Sequence, residues 1–68
     1  MDATIFNLMV TAASVAKKPV KISFIDGESN KGKVVKKGKK FYFDDEQLSP
    51  YKNKLLSHTQ ILSVQSLN

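Results

Sequence analysis

The stretch Pro19-Val20-Lys21-Ile22-Ser23-Phe24-Ile25-Asp26-Gly27-Glu28-Ser29-Asn30-Lys31-Gly32 decides how this chain folds. Val20, Ile22 and Phe24 alternate with Lys21 and Ser23, the period of two that puts apolar side chains on one face of a strand. Asp26-Gly27 then signals a turn, because this pair tolerates the positive φ that tight hairpins need. Gly32 falls within the next strand, expected from about Gly32 to Lys36 through Val34 and Val35, where glycine marks a sharp bend or a close backbone approach. Lys37, Gly38 and Lys39 turn the chain again. Phe41 and Phe43, alternating with Tyr42, make a third strand, so this part of the chain reads as a meander.

Downstream, Asp44, Asp45 and Glu46 begin a polar connection that runs through Pro50 to about Asn53, the length of an irregular loop. Leu55 and Leu56 suggest a fourth short strand, His58 and Thr59 a brief corner, and Ile61 to Val64 a fifth strand. Upstream, Asp2 to Ala16 is rich in Ala, Leu, Met, Ile, Val and Phe, lacks Gly and Pro, and reads as a helix. Asp2 serves as N-cap at the positive end of the helix dipole, Lys17 and Lys18 lie at the negative end, and Pro19 stops the run. Ile5, Leu8, Ala12 and Ala16 form one apolar stripe, and Phe6, Met9, Val10 and Ala13 a second. One buried face does not need both.

The 68 residues, 41% of them hydrophobic, allow one small domain, with a helix over about 2–17 and a barrel over about 20–66. Domains of this size bury only about 60% of the surface their unfolded chains expose. With no cysteine and one histidine, neither a disulfide framework nor a metal cage is available, which leaves self-association as the source of extra burial. The expected fold is mainly β: an N-terminal helix followed by a small, strongly bent, five-stranded antiparallel barrel. Ser14, Val15 and Ala16 imitate a signal-peptide cleavage site, but Asp2 stands where a basic leader would begin. The apolar stretch also falls short of the roughly 20 residues that a membrane span needs. A cytoplasmic protein without a membrane partner is expected.

The segment from Pro19 to Gly27, with Gly32 following, resembles the first Sm motif, especially in the form found in Hfq, the bacterial Sm-like RNA chaperone. In that family a hydrophobic strand ends in Asn-Gly or Asp-Gly, and a later glycine opens a bent second strand, as Gly27 and Gly32 do here. An amphipathic helix precedes the motif, and Ser57-His58-Thr59 with Ile61 and Val64 resembles a degraded form of the family's Tyr-Lys-His corner and last strand. The resemblance implies a ring, a hexamer or heptamer, whose neighbouring edge strands pair, and it implies single-stranded RNA as ligand. It also has departures. Ser57 replaces the corner lysine beside His58, with Lys54 a possible substitute; the third-strand aromatic falls at Phe41 or, one residue away, at Lys40. Ser14, Val15, Ala16 and Lys17 replace the basic end of the helix, and Glu28 and Asn30 replace apolar residues of the opposite-face pocket.

The residues themselves carry a second signal. All eleven basic residues are lysine, against six acidic ones, for a net charge of +5. Lys31, Lys33, Lys36, Lys37, Lys39 and Lys40 surround the second hairpin and are expected at one end of the barrel, a surface that would attract phosphates with strong salt dependence. The bland reading is a solvated hairpin whose lysines discourage edge aggregation. The absence of arginine argues against strict base reading, since bidentate contacts to guanine are mostly arginine chemistry. Phe41, Tyr42, Phe43 and Tyr51 are the flat surfaces on which bases could stack, with Tyr42 the best placed because Phe41 and Phe43 share a core face. His58 could donate to a base or phosphate, or be structural. Asp44, Asp45 and Glu46 are too close together to converge on a cation as spaced loop ligands do. No G-x-S-x-G elbow or P-loop is present, so neither catalysis nor a cofactor is expected. Three readings follow: a non-catalytic RNA-binding ring, an SH3-like interaction module docking on a larger protein through its helix, and a DNA-binding barrel.

Overall fold

The computed structural model describes residues 1–45 and 54–67. Helix α1 spans Ala3–Ala16, and five strands follow: β1 Val20–Phe24, β2 Ser29–Lys37, β3 Lys40–Asp45, β4 Lys54–Leu55 and β5 Ile61–Ser66, with a 3-10 turn at His58–Gln60 before β5. All pair antiparallel in one sheet of order β4-β3-β2-β1-β5. The expected class, a helix followed by a small bent five-stranded sheet, is the one found.

Asp2 caps the helix as its sequence suggests, its carboxylate accepting from the Ile5 N–H at 3.1 Å. At the other end Lys17 adopts φ 57, the left-handed conformation that closes a helix, and its N–H donates to the Ala13 carbonyl at 3.1 Å. Across the first turn of the meander the Phe24 N–H donates to the Glu28 carbonyl at 2.8 Å, and two further bonds hold the turn itself. Gly27, at φ 93, donates to the Phe24 carbonyl, and the Asp26 carboxylate accepts from the Glu28 N–H. In the second, Gly38 at φ 64 sits first in the two-residue loop between the paired Lys37 and Lys40, where a type II′ hairpin requires a positive φ.

The sheet curls around its apolar face. Phe24 on β1 and Phe43 on β3 are separated by a whole strand, yet their rings meet edge-on with centroids 6.3 Å apart. Ile22, Phe43 and Ile61 are fully buried there, and Val10 of the helix joins them. A bulge opposite the Ser23–Phe24 step lets Ile61 face Phe24 while its neighbour Leu62 points outward. The helix closes the mouth of the curl with Phe6, Val10 and Ala13, and the Phe6 ring stands at 88° to that of Phe41. Of the two apolar stripes, the second is therefore the inward one except for Met9, which stays exposed at its border, and Ile5 and Leu8 of the first remain in water.

Several boundaries differ from those expected. β2 starts at Ser29, because polar Ser29, Asn30 and Lys31 pair with β1 although they carry no apolar alternation. β3 continues through Asp44 and Asp45, opposite Lys33 and Gly32, where a loop was expected. β4 is Lys54–Leu55, one residue earlier than Leu55–Leu56; Leu56 instead turns into the core. β5 runs on to Ser66. The expected connection from Glu46 to Asn53, with Tyr51, lies outside the described residues.

Candidate nucleic-acid interface

In an antiparallel sheet, directly opposed residues share a face, so the registers sort every side chain of the hairpin. The outer face carries, in successive rows, Lys37 opposite Lys40, then Val35–Tyr42–Leu55, then Lys33 opposite Asp44, and then Lys31–Lys21–Gln65. Rows on one face are about 7 Å apart along the strands. The middle row is apolar yet exposed, with Val35 at 37% and Leu55 at 45% of their full accessibility and the Tyr42 ring half-buried between them. The Lys37–Lys40 row borders it on one side and the mixed Lys33–Asp44 row on the other, with Lys31–Lys21 beyond.

Two of those rows pair lysine with lysine, Lys37 with Lys40 and Lys21 with Lys31. Facing like charges destabilise a sheet, whereas the Lys33–Asp44 row combines opposite charges. The Lys37 ammonium lies over the Tyr42 ring, 5.5 Å from its centroid, so ring and cation present one composite surface. Lys17, Lys33 and Lys36 border a groove of about 510 Å³ between the C-terminal end of the helix and β2, which extends the basic surface around the molecule.

The expected single cluster of lysines at one end of the barrel needs correction. Lys36, Lys37, Lys39 and Lys40 do gather at the hairpin, but Lys31 and Lys33 lie along the outer face, because β2 is nine residues long. Lys36 turns the other way. It shares the face of Phe41 and holds its ammonium 5.8 Å from that ring's centroid, at the mouth of the core.

The remaining candidates separate by burial. Phe41 is a core residue, packed against Phe6, and presents no face on which a base could stack. Lys54 is half-buried, pairs with Phe43, and lines a small recess with Phe24, Ile25, Asp26 and Gln60, away from the Tyr42 row. His58 is half-buried in the 3-10 turn. Its Nδ1 is 3.1 Å from the Met1 carbonyl oxygen, its ring lies 6.3 Å from that of Phe6, and the Met1 nitrogen donates to the carbonyls of His58 and Ile61. The corner thus ties the start of the helix to β5. Ser57, where the Sm resemblance has a lysine, caps that turn and shares a 2.9 Å hydrogen bond with the Thr59 hydroxyl.

Lys21, Val35 and Leu55 belong to the outer face but are not among the residues singled out from the sequence. Counting the hairpin register outward from Asp26-Gly27 would have found Lys21; Val35 and Leu55 were read only as strand residues, each beside another apolar residue, Val34 and Leu56, that fills the core. Among the described residues no group of three His, Asp or Glu side chains could hold a metal ion, and no helix is long and apolar enough to cross a membrane.

No protein-family model, curated protein or solved structure matches this chain.

Proposed function

We propose that this chain is a non-enzymatic, Sm-like RNA-binding protein of the Hfq kind. It works as a homo-oligomeric ring and holds single-stranded RNA on the lysine-bordered outer face of its sheet. The observation that carries this reading is the pair of lysine–lysine rows, Lys37–Lys40 next to the exposed Val35–Tyr42–Leu55 row and Lys21–Lys31 on its other side beyond the mixed Lys33–Asp44 row. A polyanion would relieve the repulsion within each pair, and a base stacked on Tyr42 would cover the apolar row between them. Lysine supplies point charges without bidentate base reading, which suits binding with little sequence preference. β4 and β5 end the sheet order on opposite sides, so pairing the β4 of one copy with the β5 of the next is a heterologous contact that can close into a ring.

Anisotropy titrations with short U-rich and A-rich RNA test the reading. If Lys21, Lys31, Lys37 and Lys40 each neutralise one phosphate, log affinity falls with log salt at a slope of about −3. Affinity then drops roughly fiftyfold between about 50 and about 200 mM salt. Absence of binding at low salt, or affinity indifferent to salt, would remove this function. The exposed side of the helix favours a second reading, an SH3-like module that docks on a larger protein. Light scattering separates the two, since that module is monomeric alone and the ring is a discrete assembly of several chains.

A further inference from the structure

From Ala3 to Ala16 the helix carries no charged side chain, and the face turned away from the core is mostly apolar, bordered along one side by the exposed Thr4 and Thr11. Ile5, Leu8 and Val15 are 51%, 68% and 75% exposed, and in helical projection the short side chain of Ala12 lies between them with Ala16 just beyond Ile5. Beside this stripe runs a groove of about 320 Å³ lined by Met9, Ala12, Ala16, Pro19, Val20 and Val64. Charge appears only at the two ends, as Asp2 at the N-terminal end and Lys17 and Lys18 at the C-terminal end. A surface of this kind is matched by its own reverse.

We propose that the stripe is an isologous contact with a second copy of this chain, the two helices packed antiparallel about a two-fold axis. In that arrangement Asp2 of each copy meets Lys17 and Lys18 of the other at both ends, and the helix dipoles oppose. Setting residue 2 beside residue 18 places Leu8 of one copy against Ala12 of the other and Ile5 against Val15, so a large side chain meets a small one at the centre. Each Leu8 then enters the groove beside the other copy's Ala12. The charges fix the direction: a parallel pair would put Asp2 against Asp2 and the lysines against lysines. The contact touches β5 only beside Val64 and shares with the basic surface only Lys17 and Val15 of the groove against β2; the lysine rows of the outer sheet face take no part in it. It stands or falls apart from the RNA-binding ring, and where a ring forms it joins two rings face to face.

Sedimentation equilibrium of the full chain and of Leu8→Lys tests this. Leu8 is mostly in water, so the variant keeps its fold, which circular dichroism checks. The expected result is a halved mass for Leu8→Lys, whatever number of chains the strand edges join. Lys18→Glu raises the concentration of half-association roughly two- to fivefold at low salt. Because the chain has no cysteine, mixing L8C with A12C gives disulfide-linked pairs between the two variants faster than either forms alone. A wild-type monomer at all concentrations, a mass unchanged by Leu8→Lys, or A12C alone cross-linking as fast as the mixture each overturns the proposal, and an unchanged mass leaves the stripe to a different protein. RNA binding lost with the halving intact would sink the proposed function and spare this contact.

Discussion

Between Ala3 and Ala16 the chain carries no charge and leaves Leu8 and Val15 in water; between Lys31 and Lys40 it carries six lysines, two of them directly paired across the hairpin. Both regions hold free energy that a partner could release, but of different kinds. The helix exposes apolar area, whose burial is short-ranged and little affected by moderate salt. The hairpin and β1 hold repulsion between like charges, which salt screens over about 10 Å at 0.1 M. Ionic strength is therefore the variable that separates them.

The sharpest contrast lies within the helix itself. Phe6→Ala should cost about 3 to 5 kcal/mol of stability, because it empties the space against Phe41 and His58. Leu8→Ala should change the stability of an isolated protomer by no more than about 0.5 kcal/mol. Urea denaturation at protein concentrations below association measures both, and equal costs would mean that the helix buries its other face. On the sheet, Tyr42→Ala should weaken RNA binding by about 1 to 3 kcal/mol, roughly 5- to 150-fold, while the salt slope stays the same. A change in slope with no other loss would show that Tyr42 acts only through Lys37. Asp2→Ala should cost about 1 kcal/mol by removing the cap on Ile5, and Asp2→Asn much less, as thermal unfolding would show. The smallest effect runs in the opposite direction. Lys31→Ser should stabilise the protein by about 0.2 to 1 kcal/mol at low salt, through relief of its repulsion with Lys21, and the gain should vanish near 1 M salt. Destabilisation at low salt would mean that the two ammonium groups diverge.

The contrast also explains what could be read from the sequence. Val20, Ile22 and Phe24 alternate cleanly because one side of β1 faces the core, and the Asp26-Gly27 and Gly38 turns fix where the meander reverses. Both apolar stripes of the helix were visible, but choosing between them required Phe41 and His58, which are far away in sequence and meet Phe6 only once the sheet has curled. Ser29 to Lys31 gave no strand signal, since their pairing with β1 rests on backbone hydrogen bonds and not on apolar side chains. The lysine run was plain, yet its division between outer face, turn and core mouth depends on the register of a nine-residue strand. Lys21 escaped notice for the same reason. It stands ten residues before its partner Lys31 and outside the run.

One pairing sets the order in which the molecule can be made. The β2–β3 hairpin closes over a two-residue loop, an event of microseconds, whereas Ile22 on β1 must wait for Val64 on β5. Until β5 has been synthesised and has arrived, one border of β1 is uncovered and the core residues Ile22 and Phe24 lack Ile61 and Val64. A nascent chain halted before Ile61 would expose a sticky, half-built sheet, and the final residues of β5 act as the latch that makes the finished protomer safe to release.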